Sequence, residues 1–266
     1  MDSTEAGLPE GYPFTRLYRK RVANNQDLAI IVSDHQNRRG TGKTVFSLKL
    51  ASLMDRTEAG ITPEKVALDP NQLAEKYMDL PKGSALVLDE AEAGLSKYEA
   101  ASTANKAMRE LVSMGRIREK YLVLNLPASS ELDRDLKALC DFWFMVQNKG
   151  RALGHHLNWN PYKEEPRTPK TEPWEWSDIP QGTDLREVYE YLTDEKIAHL
   201  RGEGSESSQH IPASEVQERI KQEREAARTS TRNELLAEVY QNTDLTQSEL
   251  ANAADLSRSR IADIVN

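Results

Sequence analysis

A chain of 266 residues has room for one well-buried α/β core and a smaller second domain. With 38% apolar and 29% charged residues it is too polar for a single packed ball, and its formal net charge of −8 means that any nucleic-acid contact has to come from a local basic surface rather than bulk attraction. No apolar run approaches the roughly 18 residues that span a bilayer, and Met1–Glu5 is acidic where a signal peptide is basic then apolar, so a cytoplasmic protein without a membrane partner is expected.

From about Leu28 to Leu157, β-branched runs alternate with helical patterns, the rhythm of a parallel sheet covered by helices on both faces. Strands are predicted at Leu28–Ser33, Lys65–Leu68, Ala85–Leu88, Tyr121–Asn125 and Phe142–Gln147, with a last one at Ala152–Asn158. Helices are predicted at Lys43–Met54, Asn71–Leu80, Ser102–Met114 and Glu131–Leu139. Cys140, in the apolar run Ala138–Phe144, reads as a small buried hydrophobe. His155 and His156 read as polar strand residues, since no Cys or carboxylate stands at metal-ligand spacing from them. Between Asn160 and Gly182, five prolines and two exposed-looking tryptophans, Trp174 and Trp176, predict an irregular linker. A helix at Asp184–Leu200, a loop at Gly202–His210 and a charged, solvated helix at Ala213–Thr229 follow.

The chemistry begins after the first strand, in Asn37-Arg38-Arg39-Gly40-Thr41-Gly42-Lys43-Thr44 and the helix that follows. This is a phosphate-binding loop whose usual first glycine is Asn37, a residue that enters left-handed backbone conformations more readily than most. Successive N–H groups of such a loop point at phosphates, the ammonium of Lys43 adds a positive charge near the β and γ groups, and the hydroxyl of Thr44 binds Mg²⁺. A bare Gly-rich turn is the alternative; the strand before it and the helix after it weigh against that. Ser84–Glu90 supplies the second element, an apolar strand ending in two carboxylates. Asp89 is expected to hold Mg²⁺ and Glu90 to polarise the attacking water of ATP hydrolysis.

A further strand ends in the amide of Asn125, as in P-loop ATPases with an additional central strand, which this segment resembles; that likeness implies that Asn125 senses the γ-phosphate. The stretch Asp89-Glu90-Ala91 through Asn105, Arg109, Met114 and Arg116, then Leu122–Leu126, Leu132 and Asp133, resembles the FtsK, HerA and zonula occludens toxin-like motor families. Those families usually carry glutamine where Asn125 stands. The resemblance covers about half the chain and implies homo-oligomeric rings, usually hexamers, that move or package DNA. It also implies an arginine reaching the neighbouring subunit's nucleotide: Arg109, Arg116 and Arg118 are available, and Arg116, just ahead of the sensor strand, is favoured. Each is equally readable as part of a solvated helix face.

The C-terminal stretch shows helical spacing of Leu235, Leu236, Val239 and Tyr240 over Asn233–Asn242, then the capping box Thr246-Gln247-Ser248-Glu249. Leu250, Ala251 and Ala254 face inward from the second helix, Asp255-Leu256-Ser257 makes the turn, and the third helix, Arg258–Val265, buries Ile261, Ile264 and Val265. The segment resembles winged or homeodomain-like regulators of the helix-turn-helix class, with Asp255 where the turn commonly has glycine. Ser257, Arg258, Ser259 and Arg260 then stand where double-stranded DNA is contacted. A small helical protein-binding module is the competing reading, because the segment carries no net positive charge.

The expected map is therefore a P-loop ATPase domain over 1–159, a Pro-rich linker over 160–182, a helical connecting segment over 183–231 and a helix-turn-helix domain over 232–266. The expected function is Mg²⁺-dependent ATP hydrolysis in a protein acting on DNA, in replication, partition or packaging for a mobile element or virus. The alternatives are an ATP-switched transcriptional regulator and an ATPase whose C-terminal helices bind protein.

Overall fold

The computed structural model describes residues 7–36, 38, 40–89, 119–128, 138–160, 162, 165–201, 229, 232–243 and 245–265. The helix expected at Ser102–Met114, most of those at Glu131–Leu139 and Ala213–Thr229, and the site residues Asn37, Arg39, Glu90, Arg109, Arg116 and Arg118 lie outside the described residues. The chain divides into two units, Met1–Ile211 and Pro212–Asn266.

In the first unit the order is α1 (Pro13–Ala23), β1 (Leu28–Asp34), α2 (Lys43–Met54), a 3₁₀ turn at Pro63–Lys65, β2 (Val66–Ala67), α3 (Pro70–Asp79), β3 (Ala85–Asp89), β4 (Tyr121–Ala128), β5 (Phe142–Asn148), β6 (Arg151–His156), β7 (Asn158–Asn160), β8 (Glu165–Arg167), β9 (Lys170–Glu175) and α4 (Asp184–Leu200). Seven strands form one sheet in the order β2-β3-β4-β1-β5-β6-β9, and β7 pairs with β8 in a separate ribbon. Strands β2, β3, β4, β1 and β5 run parallel. Every residue of β1 and β3 is buried, as strands covered on both faces must be. Helix α2 packs on β1, β3 and β4, and α4 packs on α2, with Val188 and Leu192 of α4 joining the main core.

The expectation of a wholly parallel sheet is corrected at one edge. Strands β5 and β6 are antiparallel because only Lys149 and Gly150 separate them, with Gly150 at φ +86°, whereas a parallel partner needs a crossover of about a dozen residues or more.

The expected linker is corrected as well. Residues Lys170–Glu175 form the edge strand β9, antiparallel to β6, and an edge position is where a strand can carry Pro173. On a strand, residues two apart share a face, so the indoles of Trp174 and Trp176 both turn inward rather than outward. Trp174 is fully buried, with ring centroids 5.5 Å from Phe14 and 5.2 Å from Phe144, while Trp176 lies 4.5 Å from Phe46. The segment rich in proline thus completes the core. Gly154 of β6 admits no side chain, because a Cβ there would stand 2.4 Å from Thr171 Oγ1 and 2.9 Å from Phe142.

Below the sheet, Asp55 ends α2 and gathers an uncommon set of partners for a buried carboxylate. Its Oδ2 accepts from Lys65 Nζ at 2.8 Å and from the Ala85 N–H at 2.8 Å, while Oδ1 accepts from the Thr57 N–H at 2.9 Å. The ion pair is dry on both sides, and its charges are satisfied by these donors and by the Gly60 carbonyl, which accepts from Lys65 at 2.5 Å. Cys140 is buried, and that burial pushes its thiol pKa up. The His155 ring lies against Trp143, and its Nδ1 is 3.1 Å from the Thr168 carbonyl oxygen. No helix among the described residues is long and apolar enough to cross a membrane.

The second unit contains α5 (residues 232–242), α6 (Gln247–Ala254) and α7 (Arg258–Val265). The Thr246–Glu249 capping box forms in full, and Asp255 takes the left-handed conformation, φ 53° and ψ 46°, that ends α6. Leu250, Ala251 and Ile261 make a small core against which Leu236, Tyr240, Ala254, Leu256, Ile264 and Val265 pack. The four-residue stripe expected on α5 narrows to Leu236 and Tyr240. Leu235 and Val239 lie about 100° further round the helix and are exposed, because two short partner helices cover only one line of contacts.

Replacing Trp174 by Ala is expected to cost about 3–5 kcal/mol, read as a lowered urea midpoint with an intact folded baseline. An unchanged midpoint would place this indole outside the core.

Candidate functional site

The site is set by strand register. Asp89, at the end of β3, pairs in register with Asn125 of β4, and Asn125 pairs with Val32 of β1. Strand β4 is therefore inserted between the strand that feeds the glycine loop and the strand that ends in the acidic residue. All three have their carboxyl ends on one edge of the sheet, the edge where open parallel sheets bind ligands.

From Asp34 the chain turns through the loop into α2. Gly40 and Gly42 have φ of +68° and +86°, conformations that glycine adopts without cost. Gly42 caps α2, and the first hydrogen bond of the helix runs from the Phe46 N–H to the Gly42 carbonyl at 3.0 Å. The N–H groups of Lys43, Thr44 and Val45 consequently have no carbonyl of their own helix to donate to, and they face the loop at the positive end of the helix dipole. Lys43 Nζ lies 3.5 Å from the Arg38 carbonyl oxygen, a loose contact that leaves the ammonium available. The Thr41 hydroxyl is buried and has no partner among the described residues.

Asp34 shapes the entry to the loop. Its fully buried carboxylate accepts the N–H of Gln36 at 2.7 Å and of Arg38 at 2.9 Å, and Arg38 in turn donates to the Gln147 carbonyl. Burial opposes ionisation of Asp34, but the N–H groups of Arg38 and Gln36 and the Arg38 guanidinium outweigh it and hold the carboxyl below its usual range.

Across from the loop, Asp89 is completely buried and fully partnered. The Thr44 hydroxyl donates to its Oδ2 at 2.8 Å, and the Asn125 amide donates to its Oδ1. The Asn125 Oδ1 atom, on the same amide, is left buried with no partner among the described residues. The hydroxyl and carboxylate that the sequence assigns to a metal ion thus meet, and hard oxygen ligands of this kind suit Mg²⁺.

Sequence reasoning missed three contributors. Lys196 of α4 places Nζ 2.8 Å from Asp89 Oδ2. Its position was readable in principle, since Val188, Leu192 and Lys196 stand four apart on one helical stripe that is otherwise buried. Asp34 was readable as a polar end to an apolar strand. Trp176 was not, because its neighbourhood is set by pairing distant in sequence: a Cβ on Gly42 would lie 3.7 Å from its indole nitrogen.

In the second unit, Ser257, Arg258, Ser259 and Arg260 are all exposed at the start of α7. Ser257 Oγ accepts the Arg260 N–H at 3.2 Å and lies 3.0 Å from Ser259 Oγ, so this hydroxyl caps its own helix while both guanidinium groups stay in solvent.

No family model and no curated protein matches the chain. Among solved structures, the chain is similar to the N-terminal domain of zonular occludens toxin from Neisseria meningitidis, with 15% identity over 62% of this chain and 98% of that domain. The TM-score is 0.31, too low to bear on function, so the chemistry of the site rests on its own geometry.

With its folded pKa below the unfolded one, the Asp34 carboxylate stabilises the fold fully above about pH 4 and loses that contribution as acid protonates it. The stability gap between wild type and Asp34→Asn, from urea titrations, is expected to narrow between about pH 6 and about pH 3. A gap that is constant or widens over that range would mean that the carboxylate is not held ionised by the loop.

Proposed function

We propose that this chain binds and hydrolyses Mg²⁺-ATP at the glycine loop and acts on double-stranded DNA through its C-terminal helices. The observation that carries the first half is the meeting of Thr44 and Asp89 at 2.8 Å beside a glycine loop at a helix N-terminus. In this reading the loop and α2 N–H groups bind the phosphates, the Lys43 ammonium balances charge at the β and γ groups, and Thr44 and Asp89 hold the ion. A magnesium ion held by Thr44 and Asp89 would supply positive charge against that of the phosphate oxygens. Asn125 contributes its buried Oδ1, which has no partner among the described residues, as an acceptor that orients water, and Glu90 is the general base. Self-association, as a ring with Arg116 reaching a neighbouring copy's nucleotide, belongs to the same reading.

Calorimetry tests the ATP half directly. Wild type is expected to bind ATP with Mg²⁺, Lys43→Ala to lose binding, and Glu90→Gln to bind ATP while its turnover stalls. A correctly folded wild-type protein that binds no ATP overturns the proposal.

The DNA half is supported by the small core around Ala251 and Ile261, the left-handed turn at Asp255 and the exposed Arg258 and Arg260. Each arginine is suited to a phosphate contact or a bidentate guanine contact, the latter worth about 1–3 kcal/mol. One copy of so acidic a module binds weakly and with strong salt dependence, so display of several copies on an oligomer favours useful affinity. In fluorescence polarisation at low salt, Arg258→Ala/Arg260→Ala and a chain ending near Arg228 are both expected to lose most of the binding of the full-length protein. Equal binding by all three would move the DNA contact to the first unit.

A further inference from the structure

We infer that Lys196 is a tethered cation of the nucleotide site that holds the metal-ligand pair in the absence of nucleotide and competes with the magnesium ion for it. The inference rests on the proposed ATP-binding role and deepens it. Three observations carry it. The Lys196 ammonium lies 2.8 Å from Oδ2 of Asp89, the same oxygen to which the Thr44 hydroxyl donates at 2.8 Å. Asp89 is wholly buried, and the Lys196 side chain is only 22% exposed, so this is not a solvated surface pair. Lys196 also continues the stripe of Val188 and Leu192, which fixes α4 in the core and aims the lysine at the end of β3.

The charge logic follows from those positions. A buried carboxylate in an apolar sheet needs a positive partner, and Lys196 supplies one from within the chain. It stands beside the Thr44 hydroxyl on the same carboxylate oxygen, so the ligand pair is already arranged before any ion arrives. A divalent ion at the same oxygen repels the ammonium at close range and in a poorly screened setting. Binding of the metal with nucleotide therefore has to displace Lys196, and the lysine raises the magnesium concentration at which the site fills. A lysine that instead touched the γ-phosphate would strengthen binding of the metal-nucleotide complex, which is the opposite sign.

The test compares wild type, Lys196→Gln and Lys196→Arg, with circular dichroism confirming the fold of each. The glutamine keeps a donor for Asp89 without the charge; the arginine keeps the charge. Fluorescent ATP binding is titrated with magnesium chloride. The midpoint is expected to fall by about tenfold in Lys196→Gln, the scale of losing one buried charge partner, and to stay nearer wild type in Lys196→Arg. Binding of ATP in excess chelator is expected to be no tighter in Lys196→Gln than in wild type, because Asp89 is then left unneutralised. A midpoint that is unchanged or raised in Lys196→Gln overturns the inference. A second reading needs no nucleotide: magnesium chloride alone is expected to raise the Tm of Lys196→Gln more than that of wild type, and an equal or smaller rise also overturns it. Wild type that binds no ATP while the magnesium-only shift differs as stated would overturn the proposed ATP function and leave the cation exchange at Asp89 standing.

Discussion

Everything at the site depends on the parallel register that seats β4 between β1 and β3. That register brings Val32, Asn125 and Asp89 into one row across the sheet, so the loop, the amide and the carboxylate open on a single edge. A shift of one residue in β4 would turn Asn125 to the opposite face of the sheet and replace it with an aliphatic neighbour. The row is held by the strand ladders and by burial, since Leu28, Ile30, Val87 and Val123 of the same three strands are each almost wholly buried.

Such a row creates an electrostatic problem that the surrounding residues resolve. Asp34 and Asp89 are both carboxylates with fully buried side chains at the ends of apolar strands, where an unpaired charge is costly. They are resolved differently. Asp34 draws its donors to Oδ1, chiefly backbone N–H groups of the loop that follows it, and so shapes the loop, while its Oδ2 has no partner among the described residues; Asp89 is satisfied by side chains from α2, β4 and α4 and so gathers elements distant in sequence. One carboxylate organises locally and the other globally.

This division also explains what the sequence could and could not disclose. Features fixed by near neighbours were legible: α2 has the bounds expected from its pattern, Lys43–Met54, the Thr246 capping box forms, and Asp255 adopts the left-handed turn. The pairing of Thr44 with Asp89 was legible because two short motifs each carry their own chemistry. Hidden features depended on partners far along the chain. Prolines and charges around Trp174 disguised an edge strand, since a single line of hydrogen bonds to β6 suffices there and leaves little periodicity to read. Lys196 was hidden in the same way, since its helix was legible but its partner on β3 was not.

The carboxylate at the far end of α2 adds a mechanical consequence. Helix α2 spans about 18 Å and is fastened to β3 at both extremities, by Asp55 to the Ala85 N–H at one end and by Thr44 to Asp89 at the other. Two members pinned at both ends behave as a strut, which bears load without sliding. A ratchet of α2 along its axis would have to break a buried ion pair and the hydrogen bond from the Ala85 N–H to the Asp55 carboxylate together. Sliding along the axis of α2 is thereby opposed at both ends, which leaves the glycine loop ahead of it as the part of this edge not fastened to β3 in that way.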